Sequence, residues 1–455
     1  MNILIIGGGE LGSMIAERLI FEGHAITIIE KSEETSKKLS EELDAMVLKG
    51  SGIDVNIISK ANIDKTELFL ALTNDDNVNI VACNLVKRLS HYNAYTIAKI
   101  ENASRYFSNP VIESADFGID NMIATKQLTI NNISDLISQP ETSEIINFHD
   151  NDIKIIGIQV PESFKGNGKK IHEITSIDKA WRKVRIIAVK KNNSVIIPSG
   201  NDIIHQGNRI FMLGNTESLH TITQEYFPAE KKIKKIIIFG GHRIGRELAR
   251  RESLLGKSVT VVEEDETICS NLSEELSGVL IINGRGTNNS VLNELEMKDS
   301  FVVCVTESDE QNVITAVLAK RNGAFKAVCN ITNIAISPIL NEIQDIDSVF
   351  STESLALSEI LNYCRRGEII SVYPLPNLKI ETMKIRISEE LEILDKSLKD
   401  ISLPKGMIIG VIQRENKVII PYGNDDIRIN DLVICFMLPS AKKAAKALFS
   451  KTSGK

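Results

Sequence analysis

Short apolar runs of strand character alternate along this chain with segments whose apolar positions recur at helical spacing, and the alternation begins at once. Residues 2–6 are apolar and break into Gly7, Gly8 and Gly9, then Leu11 and Gly12, before a helix-like segment through Leu19. A second strand-like run, residues 24–29, ends on Glu30. Residues 44–48 predict a third strand, ending in the polar turn Lys49-Gly50-Ser51-Gly52, with residues 53–61 helical after it. Residues 68–72 predict a fourth, ending in Thr73-Asn74-Asp75-Asp76, then a helix over 77–89 and a fifth strand over 95–100. This β-α alternation predicts an α/β fold with a doubly wound parallel sheet, whose ligand crevice lies beyond the strand C-termini.

The first thirty residues hold the most informative motif, a G-x-G-x-x-G turn between a strand and a helix, with an acid after the next strand. Gly7 permits the tight turn, Gly9 lets a pyrophosphate approach the backbone, and Gly12 lets helix and strand pack closely. The helix N-terminus offers unpaired N–H groups to phosphate, and Glu30 stands where a carboxylate would hold ribose hydroxyls. A glycine turn that binds nothing is the plain alternative.

The pattern then repeats. Residues 235–263 restate the opening, with Gly240 on Gly7, Gly245 on Gly12 and Glu263 on Glu30, each 233 positions further on. Gly284-Arg285-Gly286 answers Gly50-Ser51-Gly52, residues 302–305 with Thr306-Glu307-Ser308-Asp309 answer the fourth strand and its turn, and residues 325–330 bring Cys329 to the position of Lys99. Helix-prone segments at 120–138 and 347–366 match in position, which suggests a shared packing role as crossover or dimerising helices. Beyond Gln139-Pro140 the texture becomes short and β-rich. There Val195-Ile196-Ile197-Pro198-Ser199-Gly200-Asn201-Asp202 recurs as Val418-Ile419-Ile420-Pro421-Tyr422-Gly423-Asn424-Asp425, 223 positions on. The chain thus divides into Rossmann-like domains at 1–139 and 230–366, each followed by a small α+β domain, 140–229 and 367–455. The basic, proline-containing stretch 228–235 serves as the hinge.

Composition narrows the class of function. The 455 residues exceed one core, and 43% hydrophobic with 25% charged residues is globular. A net charge of −7 gives no footprint for nucleic acid, which is set aside. Neither a secretory leader nor an apolar run long enough to span a bilayer is legible, so a soluble protein that meets any membrane through a partner is expected. Six dispersed cysteines, with no C-x-x-C, read as small buried thiols of a reduced, cytoplasmic protein.

Two Rossmann units, each trailed by a small module carrying V-I-I-P-x-G-N-D, resemble the TrkA family, the cytoplasmic subunits of Trk-type potassium uptake systems built from paired RCK domains. The resemblance covers residues 1 to about 449. It implies a non-catalytic, ligand-gated regulator, a homotetrameric ring beneath an integral membrane potassium channel or transporter subunit of the TrkH/TrkG kind. NAD(H), with ATP or ADP as further candidates, would shift the ring between conformations, which requires only that the ligand bind one of them better. Carried over residue by residue, the first site comprises Gly7, Gly8, Gly9, Glu10, Leu11 and Gly12 around the diphosphate and Glu30 with Lys31 at the ribose. Gly50 and Ser51 would border the adenine, Thr73, Asn74 and Asp75 the far wall, and Lys99 would face a phosphate. The second site comprises Gly240, Gly241, His242, Arg243, Ile244, Gly245, Glu263, Gly284, Arg285, Thr306 and Glu307. It departs from the pattern: His242 replaces Gly9, and a side chain there restricts approach to a pyrophosphate. Arg243, Arg246 and Arg285 could compensate with charge. The first half is therefore expected to be the better dinucleotide site.

Plainer readings stand beside these. Asp75, Asp76, Asp309 and Glu310 precede helices and suit N-terminal capping. His242 reads as a surface residue, and no histidine has metal-ligand spacing. Trp181 reads as surface or module packing, and Lys231, Lys232, Lys234 and Lys235 as a solvated linker. The competing functions are an NAD-dependent oxidoreductase, which leaves the small modules unexplained, and a nucleotide sensor acting on another transporter, such as an antiporter.

Overall fold

A computed structural model of the protein describes residues 1–449, apart from 110, 149–152, 192–193, 228–232, 334–335, 341–342, 344, 365–369, 375–379, 388–390, 392 and 416. It divides into two compact units: Met1–Asn131 with Asn330–Ile334 and Phe350–Cys364, and the remainder. Most of the expected hinge, residues 228–232, lies outside the described residues.

In the first unit the strands are β1 (Asn2–Ile6), β2 (Ala25–Glu30), β3 (Met46–Lys49), β4 (Leu68–Ala71), β5 (Tyr95–Lys99) and β6 (Asn121–Ile123). They form one sheet in the order β3-β2-β1-β4-β5-β6, with every recorded pairing parallel. Helices α1 (Glu10–Phe21), α2 (Glu33–Glu42), α3 (Val55–Ser59), α4 (Asp76–Leu89), α5 (Ala103–Phe107) and α6 (Thr125–Ser138) connect or follow them. From Ile3 onward β1 is apolar because both of its faces are covered, and Leu4, Ile5 and Ile6 are fully buried. The segment 120–138 is not one helix: Asn121–Ile123 adds a sixth strand beside β5, Ile97 opposite Asn121, before α6 begins.

The second half repeats this with β12 (Lys235–Phe239), β13 (Ser258–Glu263), β14 (Val279–Asn283), β15 (Phe301–Cys304), β16 (Lys326–Asn330) and β17 (Ser348–Phe350) in the order β14-β13-β12-β15-β16-β17. Between lie β7 (Thr142–Phe148), β8 (Ile153–Gln159), β9 (Val184–Lys191), β10 (Ser194–Ile196) and β11 (Arg209–Asn215), with α7 (Ile171–Ile177) and α8 (Thr216–Tyr226). The helices of the second Rossmann half are α9 (Arg243–Leu254), α10 (Glu266–Glu275), α11 (Asn289–Glu294), α12 (Asp309–Arg321), α13 (Ser337–Leu340) and α14 (Thr352–Cys364). The chain ends with β18 (Ile370–Pro374), β19 (Glu381–Arg386), β20 (Met407–Arg414), β21 (Lys417–Ile419), β22 (Leu432–Met437) and α15 (Lys442–Leu448).

The positional match of the two segments after the Rossmann strands acquires a physical meaning here. α14 belongs to the second half of the sequence, yet Ala356, Ile360, Leu361 and Tyr363 bury against Ile15, Leu19, Ile3 and Ile5 of the first sheet and α1. Their spacing puts them on one helical face, which α1 and the sheet would otherwise expose to water. In the second unit, Ser134 of α6 donates to the Glu252 carboxylate on α9.

The small modules are antiparallel sheets of equivalent order, β10-β9-β11-β8-β7 and β21-β20-β22-β19-β18. Their inner faces share one core that includes Ile155, Ile187, Phe211, Ile408 and Phe436. The repeated Pro-x-Gly-Asn-Asp element is a side-chain-closed turn in both. Asp202 Oδ2 accepts from Ser199 N at 2.8 Å, and Asp425 Oδ2 from Tyr422 N at 2.6 Å. Of the two readings of Trp181, module packing holds and surface exposure does not: it is fully buried, 5.2 Å from the Tyr226 ring, and its carbonyl accepts the Tyr422 hydroxyl. Nor is Lys235 a solvated linker residue, since as the first residue of β12 it donates to the carbonyls of Leu295 at 2.8 Å and Glu296 at 2.9 Å. The five described cysteines, Cys83, Cys269, Cys304, Cys329 and Cys435, are buried and unbonded, and burial raises every one of their thiol pKa values.

Candidate functional site

The three glycines of the first turn do different work. Gly7 has φ +92°, a conformation side chains rarely adopt. A Cβ on Gly12 would lie 2.0 Å from the Gly7 carbonyl oxygen, so α1 can pack this closely only with hydrogen there. Gly9, the N-cap of α1, has φ −64° and ψ −172°, and a Cβ would meet nothing within 4 Å. The fold therefore needs glycine at 7 and 12 and leaves the space before Gly9 open.

Glu30 has a structural task the sequence did not disclose. Its Oε2 accepts from Gly8 N at 2.6 Å and its Oε1 from Ser32 N at 2.7 Å, so the carboxylate anchors the glycine turn to the end of β2. An ionised carboxylate has about four acceptor sites; two are used, which leaves capacity for ribose hydroxyls.

On the other side of β1 a buried asparagine joins two strand ends. Asn79 Oδ1 accepts from Thr73 N at 3.0 Å and from Thr73 Oγ1 at 2.7 Å, while its Nδ2 donates to the carbonyls of Thr73 at 3.0 Å and Lys99 at 2.7 Å. Lys99 Nζ donates to Asn74 Oδ1 at 2.8 Å, and burial lowers its ammonium pKa. Asp75 caps α4 through Asn77 N at 2.8 Å. Asp76, by contrast, accepts from the backbone N–H groups of Glu101 and Asn102, at 3.0 and 2.9 Å, and fixes the turn after β5. Asn79→Ala should cost about 2 kcal/mol, because it strands three part-buried backbone groups at once. Urea unfolding of the variant measures this, and an unchanged midpoint would show that water replaces the amide.

These elements enclose a cleft of about 730 Å³ over the C-terminal ends of the strands. Of the first-half residues singled out in the sequence, Gly7, Gly9, Glu10, Leu11, Gly12, Glu30, Lys31, Gly50, Ser51, Thr73, Asn74, Asp75 and Lys99 line it. Gly8 does not; its N–H is turned to Glu30, and a Cβ there would strike Leu39 at 2.3 Å. The cleft also takes in Thr35, Ile53 and Thr125, and Thr352 with Glu353 from the first turn of α14. Nothing local in the sequence points to the last two, which come from more than two hundred positions away.

The second half reproduces the framework. Gly240 has φ +108°, and a Cβ on Gly245 would lie 1.9 Å from the Gly240 carbonyl. The buried Glu263 accepts from Gly241 N at 2.6 Å and Asp265 N at 3.0 Å, and its carbonyl accepts from Gly284 N at 2.9 Å. Asn312 Oδ1 accepts from Thr306 N at 2.8 Å, as Asn79 does from Thr73. His242 holds the N-cap of α9 at φ −65° and ψ −175°, the Gly9 conformation, with its half-exposed ring 3.7 Å from Glu307. Arg243 and Ile244 open α9. Arg285 pairs with Glu264 at 2.5 Å and Arg246 with Glu275 at 3.4 Å, so both have acidic partners within their own half. The position equivalent to Lys99 is Asn330, not Cys329. Ala71 is opposite Ala98, and its counterpart Cys304 is opposite Cys329, which puts Asn330 one residue on. Among the described residues no group of histidine, cysteine or acidic side chains could hold a metal ion, and no helix is long and apolar enough to cross a membrane.

Comparison with known proteins agrees with this architecture. The TrkA-N domain description matches residues 3–124 and 236–352, more than half of the chain, and the TrkA-C domain description matches 167–226. The chain is 28% identical over 459 aligned positions to the Trk system potassium uptake protein TrkA homolog 1 of Methanosarcina mazei, covering 99% of this chain and 100% of that one. To the Trk system potassium uptake protein TrkA of Haemophilus influenzae it is 29% identical, covering 96% of each. Among solved structures, the GsuK RCK domain superposes with a TM-score of 0.61 at 14% identity, covering 98% of this chain and 94% of that one. The GsuK channel bound to NAD also gives 0.61, at 15% identity over 98% and 78%. With two TrkA-N regions on two Rossmann sheets and full-length similarity to TrkA proteins, the chain belongs to the TrkA family.

Proposed function

We propose that this protein is a non-enzymatic regulatory subunit of a potassium uptake system, binding NAD(H) in the first cleft and acting on a membrane channel or transporter subunit of the TrkH/TrkG kind. The observation that carries the reading is the first cleft itself, where the open space before Gly9 and the Glu30 carboxylate line the same cleft. The relatives' role in Trk potassium uptake and the NAD-bound GsuK channel with the same fold support it. In this reading the site residues are those named above, and the second half, with His242 at its turn, takes ATP or ADP or binds weakly. The four domains divide near 139, 229 and 366, and the working assembly is a homotetramer on the cytoplasmic face of the membrane. Gating follows from linkage: a ligand that prefers one arrangement by about 1–3 kcal/mol shifts the population accordingly.

Calorimetric titration of the full chain with NAD⁺, NADH, ATP and ADP tests this. We expect saturable dinucleotide binding to the wild type, lost in Gly9→His. Absence of any nucleotide binding would sink the ligand-gated reading. Potassium flux in membranes containing the partner subunit, with and without the bound nucleotide, then tests gating.

A further inference from the structure

The charge around the first cleft is uneven for a phosphate site. Four carboxylates line it, Glu10, Glu30, Asp75 and Glu353, against two ammonium groups, Lys31 and Lys99. Glu30 and Asp75 hold backbone N–H groups of their own turns, and Lys99 is held by Asn74. Glu353 is placed differently. It stands in the first turn of α14, where Ser351 Oγ donates to its Oε2 at 3.1 Å and the neighbouring Thr352 Oγ1 accepts from Thr129 at 2.9 Å. These contacts fix the start of α14 at the rim near the ends of β5 and β6, beside Lys99 and Thr125.

A dinucleotide with its diphosphate on the glycine turn and its first ribose at Glu30 extends its second nucleoside over the ends of β4, β5 and β6. That end of the cleft holds Thr73, Lys99, Thr125, Thr352 and Glu353. The second base is a cationic ring in the oxidised cofactor and a neutral one in the reduced cofactor. We propose that Glu353 makes the first cleft selective for the oxidised dinucleotide, by placing a carboxylate from the second half of the chain beside the cationic ring. This rests on the nucleotide reading above and deepens it. The same charge balance disfavours ADP and ATP, which carry more negative charge than either dinucleotide and have no cationic ring.

Because the reader of the ring is on α14, the oxidation state of the ligand acts on a helix that also packs against α1. A ligand attracted to Glu353 holds α14 to the first sheet more firmly than one that is not, which is the differential interaction a switch requires.

The test is calorimetry of the full chain with NAD⁺ and NADH, at about 0.1 M salt, where the Debye length is about 10 Å. Wild type, Glu353→Gln and Glu353→Lys are compared, with Gly9→His reporting any binding outside the first cleft. We expect the wild type to prefer NAD⁺ by about fivefold, the size of one partly screened charge contact. The ratio should fall to near one in Glu353→Gln and invert in Glu353→Lys. Equal affinities in the wild type, or a preference unchanged by Glu353→Gln, would overturn the selectivity and leave the nucleotide site intact. Failure of the wild type to bind either form would overturn the nucleotide reading itself.

Discussion

Replacing Gly9 by histidine should abolish dinucleotide binding in the first cleft and leave the stability of the fold unchanged. The backbone at Gly9 is in an extended conformation open to any residue, and a Cβ there meets nothing within 4 Å. The protein performs the substitution itself, for His242 occupies the equivalent N-cap with the same φ and ψ to within a few degrees. What the side chain removes is room for a diphosphate against the helix N-terminus. Losing two charge-assisted hydrogen bonds, at about 1.5–3 kcal/mol each, amounts to a hundredfold or more in affinity, since about 1.4 kcal/mol is tenfold. Calorimetry reads the affinity and thermal unfolding reads the stability. Undiminished binding would mean that the diphosphate lies elsewhere. The reciprocal variant, His242→Gly, should open the second turn and raise its affinity for a dinucleotide. Glu30→Ala is the poorer probe, because Glu30 also anchors the turn through Gly8 and Ser32, so lost binding there has two explanations.

Gly12→Ala should destabilise the protein by about 4 kcal/mol or more, among the larger effects of single substitutions. Helix propensity alone predicts the opposite sign, since alanine is favoured over glycine by about 0.8–1.0 kcal/mol in a helix interior. Packing decides: the new methyl would sit 2.0 Å from the Gly7 carbonyl oxygen, a backbone atom tied into the glycine turn. Relief requires α1 to move off β1, opening the core around Ile5, Ile15 and Leu19. Gly245→Ala should behave alike, with its methyl 1.9 Å from the Gly240 carbonyl. Urea denaturation measures both; a gain in stability at either position would show that the helix moves without cost. Together Gly9 and Gly12 separate the glycine that a ligand needs from the one the fold needs.

Most of the scaffold was legible because its signals are local. Strand, glycine turn, helix and acid lie within thirty residues, and their recurrence 233 positions on exposes the duplication. The asparagine tie was equally available: Thr73 and Asn79, like Thr306 and Asn312, are six apart in both copies, and the spacing puts the amide under the strand end. Other features were not local. The register that makes Asn330 the equivalent of Lys99 depends on strand pairing, which a short difference in loop length hides. Strand β6 is three residues long, too short for any period to show. Thr352 and Glu353 reach the first cleft only through tertiary packing, so no motif search over the first half could have found them.

The docking of α14 also sets an order of events during synthesis. Ala356, Ile360, Leu361 and Tyr363 complete the core of the first unit, yet they emerge from the ribosome after the whole of the second sheet has been made. A nascent chain that has released residues 1–229 therefore exposes the apolar face of Ile15 and Leu19 and cannot reach its final packing at that stage. Contacts this distant in sequence slow folding and leave apolar surface uncovered for longer. A gene truncated after the first half should yield a chain that recruits chaperones or pairs with a second copy, whereas supplying the missing helix as a separate fragment should rescue it.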